Sequence, residues 1–187
     1  LTVMTETLTV KINQGAEDGS VVDYSASKTT LVVLTGPASE ITLDMDGSRG
    51  QLLQVSGEMT LDLFGFMQVE GGFALDKGLG NVTLADGSEV EVNQLLLGAA
   101  NVDAFLGNNG GTSAAIGLQA VNVDVALALQ TSVDDETRSW VSLKGQAGFA
   151  GLIGVDGLTV SGETLAIDIN QANRAGDSVV DYTSGKT

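Results

Sequence analysis

Asp44-Met45-Asp46-Gly47-Ser48 sets two carboxylates two residues apart ahead of a glycine, which is how a calcium loop opens. Hard cations take several oxygens at about 2.3–2.6 Å, and a turn carrying Asp44 and Asp46 supplies part of such a shell. The glutamate that would close a helix–loop–helix site does not follow, so calcium is the candidate cofactor on these two residues alone. Glu17-Asp18-Gly19, Asp134-Asp135-Glu136 and Gly176-Asp177 are further acidic turns. Aspartate and glycine are also what an ordinary turn uses. Glu89 and Glu91 share one face of a candidate strand, a pairing that could serve glycoside hydrolysis. Such enzymes also need an aromatic cleft, and this chain has one Trp, two Tyr and five Phe. Ser184-Gly185-Lys186-Thr187 resembles the end of a phosphate loop, but the glycine needed five residues before its Gly-Lys pair is Val180. Asn81-Val82-Thr83 fits the short N-glycosylation pattern.

Histidine and cysteine are both absent. That removes the usual acid–base catalyst, the disulfide and the Cys/His zinc site together. No enzyme activity is expected. Eight Lys and Arg face 24 Asp and Glu, for a net charge of −16. Nucleic acid is therefore not expected as a partner, because its binding rests on cationic side chains neutralising phosphate. The same charge favours solubility and cation binding. Apolar residues make up 43 %, enough to build a core. No apolar run is long enough for a transmembrane segment, and no basic-then-apolar leader is present.

The elements that must hold these residues have a rhythm of two. Leu53, Val55, Met59, Leu61 and Leu63 alternate with polar residues; so do Val121 to Leu129 and Leu165 to Ile169. Val82 to Val92 reads as a hairpin around Asp86-Gly87. A phase slip at Phe64-Gly65-Phe66 points to a bulge or bend. Asn93 to Phe105 and Ala114 to Val121 are the two stretches with helical character. Asn101-Val-Asp is echoed by Asn122-Val-Asp, as equivalent strands of a regular sheet would be. The expected fold is all-β: a largely antiparallel sheet, as a β-sandwich or an elongated β-roll, with little helix.

The most informative pattern is a long-range repeat. Leu1-Thr-Val-Met-Thr-Glu-Thr-Leu-Thr-Val-Lys-Ile-Asn-Gln14 returns as Leu158-Thr-Val-Ser-Gly-Glu-Thr-Leu-Ala-Ile-Asp-Ile-Asn-Gln171. Ser20-Val-Val-Asp-Tyr24 returns as Ser178-Val-Val-Asp-Tyr182. Self-similarity at a fixed period marks repeat architectures. The expected organisation is one module over 1–157 and the start of the next copy over 158–187, a window on a longer tandem array. Val21, Val22, Asp23 and Tyr24, with Val179, Val180, Asp181 and Tyr182, are expected where one module meets the next, with both tyrosines at least half buried there. Leu8 and Leu165 are expected to point inward.

Leu61-Asp-Leu-Phe-Gly-Phe-Met-Gln-Val69, Val82-Thr-Leu-Ala-Asp-Gly87, Asn101-Val-Asp-Ala-Phe105 and Val179-Val-Asp-Tyr182 resemble the tandem repeats of giant acidic bacterial surface or secreted proteins. The resemblance implies an extracellular or cell-surface, adhesin-like, non-enzymatic role. Its partners would be neighbouring copies of the module, with lateral self-assembly between arrays. Some such proteins carry nonapeptide calcium repeats, but Asn109-Gly110-Gly111-Thr112 lacks the Gly and Asp that should follow. The sequence thus frames two readings. One is a structural module of a fibre, sheath or stalk. The other is a binding module that offers an apolar groove or an acidic face to a lipid-like ligand, calcium or an adhesion partner. They differ in whether the apolar strand faces are covered or open.

Overall fold

The computed structural model describes residues 2–25, 28 and 30–183. The fold is all-β. One antiparallel sheet holds seven strands in the order β1 (Thr2–Asn13), β4 (Leu52–Leu63), β5 (Met67–Thr83), β6 (Glu89–Asn108), β7 (Ile116–Ser132), β8 (Ser139–Ile153) and β9 (Val160–Ala172). A separate ladder joins β2 (Leu31–Gly36) to β3 (Ser39–Leu43). Among the described residues the only helical piece is a single 3-10 turn at Gly47–Arg49.

The main sheet is a meander after β4, and its turns follow from sequence. Phe64 and Gly65 have φ of 53° and 72°. Two positive-φ residues in succession give the tight reversal whose twist matches the flanking strands. The phase slip at Gly65 is therefore a hairpin end, with Leu63 paired to Met67, and not a bulge within one strand. The Asp86-Gly87 hairpin closes as expected, with Val82 opposite Val90.

Both helical expectations are overturned. Asn93 to Phe105 lies inside β6, and Ala114 to Val121 leads into β7. The run Leu95-Leu96-Leu97 misleads because both faces of β6 meet apolar neighbours here. Leu95 and Leu97 belong to one face, while Leu96 shares a cleft with Tyr182 on the other. A strand apolar on both faces loses its alternation.

The Asn-Val-Asp echo is a matched pair of bulges. Val102 sits opposite Val123, with one extra residue in β6 on one side of this pair and one extra residue in β7 on the other. Asn101 and Asn122 have φ of 52° and 53°, a conformation asparagine tolerates better than most residues. The Asn101 N–H donates to Asp124 Oδ1 and the Asn122 N–H to Asp103 Oδ1, each at 2.9 Å. The extra residue at Asn101 keeps the apolar phase of β6 on one face. Leu97 and Ala99 precede the bulge there, and Ala104 and Leu106 follow it.

One face of the sheet is apolar from edge to edge. Val10, Val55, Leu75, Leu97, Leu127, Leu143 and Ile169 form an unbroken cross-strand row. The adjacent row on the other face reads Lys11, Gln54, Asp76, Leu96, Ala128, Ser142 and Asn170. Arg49 spans Asp76 there with two hydrogen bonds of 3.0 and 2.6 Å, and Gln54 adds a third at 2.6 Å. Leu8 and Leu165 lie on the apolar face, but they are 61 % and 45 % exposed and do not point into a core. The sheet is a single layer there, so burial concentrates elsewhere, at one end of the strands. That core is Val82, Leu84, Val92, Trp140 and Val180, flanked by Val90 and Ala172.

Candidate assembly site

The two copies of the repeat occupy the two edges of the sheet. β1 is one outer strand and β9 the other. An even number of antiparallel steps separates them, so they run in the same direction. Asn13 and Asn170 lie on the same face, because the row through Lys11 ends at Asn170 and Asn13 is two residues beyond Lys11. They also do the same work. Asn13 Nδ2 donates to the Val22 carbonyl at 2.8 Å, and Asn170 Nδ2 to the Val180 carbonyl at 2.7 Å. In each copy an asparagine at the end of the edge strand holds the segment that follows it.

In the second copy that segment is a clasp over the core. The Ala85 N–H donates to the Val179 carbonyl and the Asp181 N–H to the Thr83 carbonyl, both at 2.8 Å, which bridges Leu84 to Val180. Val180 is 3 % exposed and Trp140 beneath it 1 %. The indole cannot be buried without a partner for its N–H. It finds one in the Ser178 carbonyl at 2.9 Å. Arg138 stacks 5.1 Å from the Trp140 ring centroid and reaches Asp177 at 3.2 Å. Arg174 pairs with Asp135 at 3.1 Å. Ser178 Oγ donates to Asp86 at 2.9 Å. Asp86 also accepts from the hydroxyl and the backbone N–H of Ser88. These donors, the Ser88 hydroxyl first, pull its carboxyl down to about 2.

In the first copy the same segment is held from the other side. The Tyr24 N–H donates to the Met45 carbonyl at 2.9 Å, and Asp23 accepts from the Gly47 N–H at 3.1 Å. Asp23 is held below the usual carboxylate range, first by the backbone N–H of Ser25. Asn13, Met45 and Leu52 are buried together at this end. Val22, the counterpart of Val180, is 52 % exposed. Tyr24 is more than half buried at this end, whereas Tyr182 does not reach the burial expected for it. Tyr182 is 54 % exposed, on the rim of a cleft of about 560 Å³ lined by Leu96, Ala126, Ala128 and Ser142. In the second copy the buried member of the Val-Val-Asp-Tyr motif is its second valine.

The candidate metal ligands are engaged singly. Asp44 takes the Lys11 ammonium at 2.8 Å, which holds its carboxyl low. Asp46 caps the 3-10 turn by accepting from the Ser48 N–H at 2.9 Å. Among the described residues no three acidic side chains come together in a way that could hold an ion. The acidic turns share another use. Asp18, Asp86, Asp135 and Asp181 each accept both the N–H and the hydroxyl of a Ser or Thr two residues on. This Asp-x-Ser/Thr spacing was readable in the sequence and marks side-chain-closed turns. Glu89, Glu91 and Asn81 are exposed strand residues, and the phosphate-loop-like Ser184-Gly185-Lys186-Thr187 lies outside the described residues. Sequence reasoning missed Trp140, Arg138 and the Asn13/Asn170 pair. The asparagines could have been found, since they fall within the repeated phrase.

The residues of the apolar face form an open trough of about 470 Å³ lined by Val55, Phe73, Leu75, Leu97, Val125 and Leu127. No helix is long and apolar enough to cross a membrane among the described residues. Compared with family models, with curated proteins and with solved structures, the chain finds no match.

Proposed function

We propose that this chain is a structural module of a tandem array, built to join copies of itself end to end in an extracellular or surface fibre, sheath or stalk. One observation carries the reading. The repeated phrase forms equivalent strands at opposite edges of one sheet, with the same asparagine-to-carbonyl bond in each. A repeat kept for its residues alone would not need to keep direction, face and side-chain bond together. Stacked repeats gain stability chiefly from contacts with their neighbours. The acidic, Cys-free composition suits an exposed solute that must repel its lateral neighbours.

The test is length. Chains carrying one, two and three copies of residues 1–157 ahead of 158–187 are compared by small-angle scattering and electron microscopy. A constant increment in length per copy supports the array. Collapse into one compact body, or no folding of the added copies, removes it.

The open apolar trough favours a second reading, a module that binds an apolar ligand on its sheet face. Titration with fatty-acid micelles or neutral vesicles separates the two. Saturable binding abolished by Leu97→Asp supports a ligand face, and the absence of binding leaves assembly alone.

A further inference from the structure

β1 is a long edge strand with Val3, Met4, Leu8, Val10 and Ile12 exposed. Such an edge is a ready template for another strand. The structure itself shows what the repeated phrase accepts there. β9 runs in the same direction as β1 with the same face outward, and it is bonded through the edge that β1 leaves open. β1, in turn, is bonded through the edge that β9 leaves open. From this we infer that, within the array proposed above, the partner of the open β1 edge is the β8 strand of the preceding copy. Consecutive modules then share one strand and form a single continuous sheet. The β8–β9 register, carried over to β1, places Ser142 of the preceding copy opposite Asn13, Gly145 opposite Val10 and Ala147 opposite Leu8.

The two ends of this molecule are complementary halves of that junction. At β9 the preceding strands are present and Val180 is buried, but Asn170 is exposed. At β1 the following strands are present and Asn13 is buried, but Val22 is open. A junction with both neighbours covers both residues. The hydrogen bonds are compatible too. The second copy is bound through the Val179 carbonyl and the Asp181 N–H. The first is bound through the Tyr24 N–H and the Asp23 carboxylate. The corresponding Val21 carbonyl and Asp23 N–H take no backbone bond among the described residues. Both sets can therefore form at once, with Val22 in the seat over Trp140 of the preceding copy. The loop contacts change: Ala16 stands where Asn173 accepts from the Ser139 N–H and donates to the Thr137 carbonyl, so those two bonds are lost. Glu17 replaces Arg174 near Asp135. Lys11 replaces Asp168 opposite Lys144, with Asp44 already bonded to Lys11 at 2.8 Å. Backbone pairing and the valine seat, not charge, must therefore carry the junction.

The natural absence of cysteine allows a clean test in a two-copy chain, residues 1–157 placed ahead of the full 187. One chain carries Cys at Ala147 of the first copy and Leu8 of the second. Another carries Cys at Thr9 and Ser56 of the second copy. A short bifunctional thiol reagent is expected to link both pairs. Amide exchange over the second copy's Val3 to Ile12 is expected to slow on the order of 100-fold relative to the single chain, where one edge is open. Val22→Asp in the second copy should abolish the first link and leave the second. The same change in the first copy should leave both, and it checks that the substitution itself permits folding. Formation of the Thr9–Ser56 link without the Ala147–Leu8 link, and with no added protection, overturns the shared strand. In that case an array of separate modules would still lengthen by a constant increment per copy. Failure of that increment sinks the array reading instead.

Discussion

The Trp140 indole N–H donates to the Ser178 carbonyl at 2.9 Å, across 38 residues of sequence. This bond ties the second copy of the repeat to the strand ends of the module before it. Trp140 is also the largest fully buried side chain of the molecule. Trp140→Ala is expected to cost about 3–5 kcal/mol, the range for truncating a buried aromatic. Trp140→Phe keeps most of the packing but strands the Ser178 carbonyl, and should cost about 1–3 kcal/mol. Urea denaturation followed by far-UV circular dichroism measures both, since either substitution removes the chain's one tryptophan and its fluorescence.

Val22 and Val180 are the same residue of the repeat in different surroundings. In the single chain Val180→Ala should destabilise by about 1.5–3 kcal/mol, because a buried valine loses its packing. Val22→Ala, at a half-exposed site, should fall within about 0.5 kcal/mol of the parent. Equal losses at the two positions, in parallel urea melts, would show that the exposure difference does not report their environments.

Asp86 sets an acid limit on the clasp. Its folded pKa lies near 2, depressed by the Ser88 hydroxyl, the Ser88 N–H and the Ser178 hydroxyl. An unfolded aspartate titrates near about 3.9. A depressed carboxylate stabilises the fold above its unfolded pKa, and the contribution disappears as pH falls through the folded one. Attachment of the 178–182 segment should therefore weaken between about pH 4 and pH 2. Carbon-detected NMR titration of Asp86, with amide exchange at Val179 and Val180, reads both events. In Asp86→Asn the component due to this group should vanish.

The paired bulges make backbone demands that side chains cannot relax. Asn122 holds φ of 53°. Asn122→Gly should be nearly neutral, while Asn122→Val should cost about 1–2 kcal/mol for a β-branched residue forced into the left-handed region. Asp103→Ala removes the acceptor of the Asn122 N–H, and Asp124→Ala that of the Asn101 N–H. Because the two contacts brace one pair of strands, the double variant should lose less than the sum of the single ones. Thermal melts of the three variants test the coupling.

Much of the architecture is local and was legible. Period-two alternation, Asp86-Gly87 and the glycine turns define strands whatever their partners, since they act through neighbouring residues and through which face can be dry. The repeat was legible as well, because it needs only comparison of the chain with itself. Leu95-Leu96-Leu97 was not, since a strand apolar on both faces carries no period. The Asn-Val-Asp echo could be seen in the sequence, but not that its two halves cross-bond. The tertiary structure decided the rest. It placed the two copies at opposite edges, put Val180 rather than Tyr182 in the core, and paired Asp44, Asp76 and Asp177 with distant cations. Those outcomes depend on strand order and on which end of the sheet a later segment covers. They are set by contacts between residues tens of positions apart, as in the 92-residue reach from Asp86 to Ser178, and no local pattern encodes them.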